Sequence, residues 1–197
     1  MKELNVKQLP DNFFTTIGKE WMLVTAGTKE HFNTMTASWG CVGWLWNKPV
    51  AVIFIRPERY THEFIEQNET LTLSFLGHEE EMRKAYNICG SRSGRDTDKM
   101  ALTGLKPIAT PSGNVTFEQA RLTLECRKLY KNRMSPDSFL DSNIAQWYGE
   151  GKGGYHDIYI LEIAHAYGAE RKQKEQRRML PLTLVTLHRS TTENEYQ

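Results

Sequence analysis

A mainly β fold, an antiparallel barrel with small helices inserted, follows from three features of the 197-residue sequence. Apolar and polar residues alternate at period two through Leu71–Leu76 and again through Leu122–Arg127, the signature of strands with one face packed. Val50-Ala51-Val52-Ile53-Phe54-Ile55 is apolar on both faces and reads as a buried strand. Turn residues separate these runs, and helical spacing is confined to a few brief segments.

The elements follow in order. Pro10 to Gly18 reads as a leading loop, and Trp21–Thr28 as a strand that turns at Lys29 and Glu30. Its hairpin partner is Asn33–Trp46, expected to be an interior strand and unusual in carrying three Trp and two Gly. Thr34, Thr36 and Ser38 share one face of it, and Met35, Ala37 and Trp39 the other. Gly in a strand marks a bulge or the close approach of another backbone or a ligand, so this stretch reads equally as a kinked barrel strand or as one wall of a site for something flat. Asn47-Lys48-Pro49 turns into the buried strand, which makes three successive strands a predicted meander.

Pro57 opens a first helix with a stripe of Tyr60, Phe64 and Ile65. A second helix spans Glu79 to Cys89, with acids in its first turn and Gly90 as its stop. A polar loop, Ser91–Asp96, leads to a short helix at about Asp98 to Leu102. Asp137-Ser138 should cap another short helix, and Tyr155–Ile163 is again strand-like. From Ala169 the character changes to a charge run, Glu170–Arg178, and an apolar patch from Met179 to Leu187. The expected organisation is one domain over 1–168 and an appendage over 169–197.

Composition excludes several function classes. The formal charge is +1, so no field concentrates nucleic acid or an anionic membrane surface. Cys41, Cys89 and Cys126 are widely spaced and show no metal-ligand pattern, which suggests reduced thiols and a cytoplasmic setting. Pro49–Ile55 is the longest apolar run and is too short to span a bilayer. The six histidines form no metal-binding pair, and neither a Gly-x-Ser-x-Gly elbow nor a dinucleotide fingerprint is present.

Two clusters could hold an anion. Arg56, Arg59 and Thr61 stand at the start of the first helix, where free backbone N–H groups favour negative charge. Ser91, Ser93, Gly94, Arg95 and Lys99 form a second concentration of hydroxyl and positive charge, and the pair suggests one shared dianion. Surface arginines and mutually neutralising pairs such as Asp98-Lys99 would give the same pattern. His156, beside Gly153 and Gly154, stands where a strand begins.

Four segments in order, Asn33–Gly40, Arg56–Thr61, Cys89–Lys99 and Tyr155-His156, resemble the flavin reductase-like family, and most closely its flavoredoxin-type branch. The resemblance covers about residues 10–165. It implies a six-stranded split β-barrel of the FMN-binding type, with FMN held noncovalently in a homodimer. It places Asn33, Thr36, Ala37, Ser38 and Trp39 against the flavin. Arg59, Thr61, Ser91, Ser93, Gly94 and Lys99 would hold the ribityl phosphate, and His156 would lie where the nicotinamide approaches. Two departures stand out: Leu161-Glu162 replaces the family's usual Gly-Glu, and the segment after Gly168 does not resemble it.

The expected function is an FMN-dependent oxidoreductase that takes hydride from NADH or NADPH. Electrons would pass to flavin, a ferric complex or a protein acceptor. A flavoredoxin-like electron carrier with little direct NAD(P)H oxidation is the alternative, and a flavin-free binding barrel a third reading. No metal, nucleic-acid or membrane partner is expected.

Overall fold

The structure, a computed structural model, describes residues 1–169, so nearly all of the expected appendage lies outside the described residues. The strands are β1 (Lys2–Leu4), β2 (Met22–Thr28), β3 (His31–Ala37), β4 (Gly40–Leu45), β5 (Lys48–Ile55), β6 (Thr70–Phe75), β7 (Pro107–Ala109), β8 (Val115–Phe117), β9 (Leu122–Arg133) and β10 (Asp157–Gly168). The helices are α1 (Phe13–Thr15), which runs into a π-helical turn at Thr16–Glu20, α2 (Tyr60–Gln67), α3 (Glu80–Ser91) and α4 (Lys99–Thr103).

Eight strands form one antiparallel sheet in the order β3-β2-β6-β9-β10-β5-β4, with β1 added beside β10; β7 and β8 make a separate hairpin. The mainly β, split-barrel expectation holds, with more strands than six. One of the additional strands, β1, has a simple cause. β5 pairs only with Asp157–Glu162 of β10, which leaves the far end of that twelve-residue strand open for β1, and Lys2–Leu4 pairs with Ala166–Gly168.

Period-two alternation fills the interior. Met22, Val24, Ile53, Ile55, Leu71, Leu73, Leu122, Leu124, Tyr159 and Leu161 point into one core, which Phe64 and Ile65 of α2 close. A second cluster on the outer side of β2 joins Leu23 to Tyr86 and Cys89 of α3 and to Phe117 of β8. At Leu161, the departure noted above, β9 and β10 slip register between Ile160 and Leu161.

The stretch expected to be one interior strand is two strands at opposite ends of the sheet. β3 pairs with β2 and β4 pairs with β5, so the predicted meander is replaced by two hairpins joined through Ser38 and Trp39. Gly40 permits this crossover: a Cβ there would lie 2.7 Å from the Val52 carbonyl oxygen and 3.2 Å from the Met22 methyl. Trp39, Trp44 and Trp46 are exposed rather than core-forming.

Smaller expectations are also corrected. The leading loop contains α1 and the π turn, and α2 begins at Tyr60, three residues after Pro57. Gly90 lies inside α3 rather than stopping it, because its missing side chain admits Thr36, whose Cβ would be 3.4 Å from an added one. The predicted helix at Asp137 is a 3-10 turn at Pro136–Ser138, followed by another at Ser142–Trp147 that Asp141 caps.

One ionic network fixes the amino-terminal segment to the sheet. The Glu20 carboxylate is buried and accepts the Gly77 amide at 2.7 Å and Arg121 Nε at 2.9 Å, while Arg121 also reaches Asp11 at 2.7 Å. These partners hold Arg121 above its usual range against the opposing effect of its burial. Removing one partner of a buried pair leaves an uncompensated charge, so Arg121→Met should lower the unfolding free energy by about 3 kcal/mol in urea titrations. A change below about 0.5 kcal/mol, typical of a surface substitution, would show that the network carries no weight.

Candidate functional site

The crossover from β3 to β4 leaves a slot between the end of β3, β5 and the start of β10. Met35, Ala37, Ser38, Trp39, Phe54, Arg56, Arg59 and His156 line a cavity of about 210 Å³ there. A second cavity of about 200 Å³ lies between the start of α2 and the end of α3, lined by Glu58, Arg59, Tyr60, Thr61, Gly90, Ser91, Arg92, Ser93 and Lys99. Arg59 belongs to both. The first cavity is lined by aromatic and small residues together with Met35 and two arginines, and the second mainly by cations and hydroxyls.

The residues expected from sequence divide between these cavities. Ala37, Ser38, Trp39 and His156 face the slot, and Thr61, Ser91, Ser93 and Lys99 face the polar cavity. Asn33, Thr36 and Gly94 line neither. Asn33 is buried and donates from Nδ2 to Thr61 Oγ1 at 2.7 Å, with its amide oxygen against Gly94, where a side chain would collide. Thr36 donates to the Tyr86 carbonyl at 2.6 Å. These three residues hold the walls together. Met35, Phe54, Glu58, Tyr60, Gly90 and Arg92 also line the cavities without having been assigned a role from sequence, and Arg56, expected in the anion cluster, lines the slot instead; Glu58, Tyr60, Gly90 and Arg92 lay within the family-like segments, whereas Met35 and Phe54 looked like ordinary core.

Donor capacity decides what the polar cavity can hold. Arg59 spends one N–H on the Cys89 carbonyl at 3.3 Å. Lys99 Nζ donates to the Thr34 carbonyl at 2.6 Å and to the Cys89 carbonyl at 3.4 Å, leaving a third proton. The Thr61 and Ser93 hydroxyls act as acceptors in their bonds, to Asn33 Nδ2 and the Arg95 amide, so each keeps a proton to give. Ser91 instead donates to the Asn87 carbonyl at 2.8 Å and can offer only an acceptor. The remaining donors suit a multiply charged oxyanion such as a phosphate monoester.

Burial shapes the electrostatics. It brings the Lys99 amine down to about 8, opposed by the nearby Cys89 and reinforced by Arg59. It pushes the Cys89 thiol up to about 11. His156, at 7% exposure, is brought down to about 4 by burial and then by the Arg56 charge, with Glu58 opposing. The ring is therefore neutral at pH 7. Its Nδ1 lies 3.0 Å from the Tyr148 hydroxyl, and its face is 5.3 Å from the Trp39 ring, which meets Trp147 edge-on at 5.5 Å.

A third cavity, about 560 Å³, lies on the other side of the crossover and is lined by Phe13, Phe14, Ile17, Trp39, Cys41 and Val42 among others. Among the described residues no group of His, Cys, Asp and Glu could hold a metal ion, and no helix is long and apolar enough to cross a membrane.

The depressed His156 value sets a sign for acid sensitivity. The unfolded chain takes up this proton near pH 6.5 and the folded chain only near 4, so the folded state is favoured above 6.5 and loses that advantage as pH falls toward 4. His156→Gln, which does not titrate, should remove up to about 3 kcal/mol of the acid-induced drop. Urea unfolding at pH 7, 5.5 and 4 measures this; parallel pH profiles for the two proteins would contradict the burial of a neutral imidazole.

No curated protein gives a significant match to this chain. Solved structures similar to it include a flavoredoxin from Methanosarcina acetivorans, with 22% identity, a TM-score of 0.58, and coverage of 77% of this chain and 69% of that one. An FMN-binding protein from Thermus thermophilus with bound p-hydroxybenzaldehyde is 20% identical at a TM-score of 0.58, covering 87% and 83%. An NADH:FAD oxidoreductase from Streptomyces globisporus is 19% identical at a TM-score of 0.54, covering 76% and 75%. At these identities the likeness establishes the fold. Residues 14–192 match the family described as "Flavin reductase like domain", so the match runs past Gly168, against the expectation that the later segment departs from the family, and the chain belongs to that family.

Proposed function

We propose that this protein is an FMN-dependent oxidoreductase that takes hydride from NADH or NADPH and delivers electrons to free flavin, a ferric complex or a protein acceptor. The observation that carries the proposal is the pair of cavities that share Arg59, one with Trp39, Phe54 and His156 in its lining, the other rich in unspent donors. Their linings and donor sets suit a tricyclic ring joined to a phosphate ester. FMN, when bound, supplies the two-electron redox chemistry; the chain supplies position and electrostatics.

Arg59 and Lys99 would receive the phosphate, with hydroxyl protons from Thr61 and Ser93. Ala37, Ser38 and Trp39 would wall the ring, with Asn33, Thr36 and Gly94 supporting from behind. The neutral state of His156 favours orienting a nicotinamide over delivering a proton. The Tyr148 hydroxyl, 3.0 Å from Nδ1, anchors the His156 ring at that nitrogen. Trp39, backed edge-on by Trp147, would wall one side of the slot.

A cytoplasmic homodimer is part of the proposal. Exposed Trp44, Leu45 and Trp46 at the tip of the β4–β5 hairpin support self-association, which sedimentation velocity would measure. The half-exposed Trp39 and Trp147 at the slot mouth also suit an electron carrier that meets protein partners directly.

Absorbance spectra of the protein with and without FMN, followed by anaerobic NADH and then NADPH, separate these readings. Bleaching by either nucleotide supports the reductase and names its donor. A yellow protein that stays yellow supports the carrier, and protein that never binds FMN overturns both. Lys99→Ala and Arg59→Ala should each weaken FMN binding roughly 10- to 100-fold while changing riboflavin binding less than about threefold. Equal losses for the two ligands would remove these residues from the phosphate site. Because Lys99 titrates near 8 without ligand and the phosphate favours its charged form, FMN affinity should fall as pH rises above 8, with riboflavin affinity flat; fluorescence titrations from pH 7 to 9.5 give the result.

A further inference from the structure

Arg56 adjoins the slot, yet its guanidinium is spent elsewhere. Nη1 donates to the carbonyls of Lys152 and of Gly154, the latter at 3.2 Å, and Nη2 donates to the Trp147 carbonyl at 2.9 Å. The same group lies 5.5 Å over the Tyr148 ring. Two residues on, Glu58 Oε1 accepts the Gly154 amide at 2.6 Å. Arg56 and Glu58 thus clamp the long β9–β10 connection, residues 134–156, to the start of α2.

The clamp explains two glycines. Gly153 has φ +90°, in the left-handed region, and a Cβ there would lie 2.6 Å from Arg56 Nη1. At Gly154 a Cβ would lie 2.8 Å from Glu58 Oε1. The backbone approaches both charged groups more closely than any side chain allows.

The clamped connection carries three groups that frame the slot. Trp147 meets Trp39 edge-on, Tyr148 reaches His156 Nδ1, and His156 lines the slot itself. Tyr148 and Tyr155 stack at 4.8 Å and Phe139 and Tyr148 at 5.5 Å, so aromatic packing ties three parts of the connection together. We propose that Arg56 is a positioning residue that, by latching this connection through three backbone carbonyls, sets where Trp147, Tyr148 and His156 stand for the hydride donor. The assignment to the hydride donor rests on the function proposed above; the latch itself does not. A planar fork with five donors can span three carbonyls, and a lysine ammonium cannot hold the same geometry.

The test compares Arg56→Lys and Gly153→Ala, which both keep a positive charge at position 56 but break the latch by different routes, with the double variant. In flavin-free protein, NMR follows the His156 ring titration. The wild-type value near 4 should rise by about one pH unit in each single variant as the ring becomes more solvated, and no further in the double variant. Titration unchanged in both single variants overturns the latch, and additive shifts in the double variant overturn the shared mechanism. With FMN bound, stopped-flow reduction by the NAD(P)H donor identified above should slow roughly tenfold in Arg56→Lys, with the preference for FMN over riboflavin unchanged. An unchanged reduction rate overturns the positioning role, and a lost FMN preference makes Arg56 a phosphate ligand instead. If the wild-type protein binds no FMN, the proposed function fails, while the histidine titration still decides the latch.

Discussion

The structure depends on the closeness with which the chain crosses itself at Ser38, Trp39 and Gly40. A strand that ended at Ala37 and turned back normally would pair β3 with β4 and continue the sheet. The chain instead passes to the far end of the strand order, pressed so tightly against the β5 backbone that only a residue without a side chain fits at Gly40. That crossing leaves Ser38, just past the last β2–β3 pair at Ala37, outside any strand and turns Trp39 into a wall between two cavities. The slot is a consequence of topology before it is a consequence of side chains.

Around the crossover, charge is placed where the backbone already needs partners. Arg59 and Lys99 both donate to the Cys89 carbonyl near the end of α3, where unpaired carbonyls collect. Their positive charge favours that helix end and also faces the cavity, so one arrangement stabilises the fold and prepares an oxyanion site. His156 follows the opposite logic. It is buried beside an arginine that disfavours its charged form, and its neutrality comes from the same connection that Arg56 clamps.

Strands buried on both faces, such as β5, were legible in the sequence because their composition leaves no alternative, and β2, β6 and the start of β9 were legible from their spacing. The β3–β4 division was not, since Asn33–Trp46 reads as one continuous strand and nothing local says that a two-residue break sends the chain across the sheet. The β7–β8 hairpin is only three residues per strand, although Gly113-Asn114 was a signal that could have found it. Thr61, Ser91, Ser93 and Lys99 were legible because hydroxyls and charges are conspicuous near helix ends, whereas Ala37, Ser38, Trp39 and His156 took their expected roles from the family resemblance. Asn33 and Thr36 face away from the cavities because their side chains bond to other elements, a matter of three-dimensional partners. The Arg56 latch was hidden for a further reason: its partners are backbone carbonyls, which every residue carries, and only the paired glycines at 153 and 154 betray it.

The three cysteines occupy unlike surroundings. Cys89 and Cys126 are buried, and burial disfavours their thiolates, whereas Cys41 is exposed on β4 beside Trp39 in the third cavity. Reactivity toward alkylating reagents follows the thiolate and its access. A maleimide dye would therefore attach at a single place in the described fold, in the cavity behind the wall of the slot. The native sequence thus already contains an optical reporter site, with the indole of Trp39 standing between the label and whatever occupies the other side.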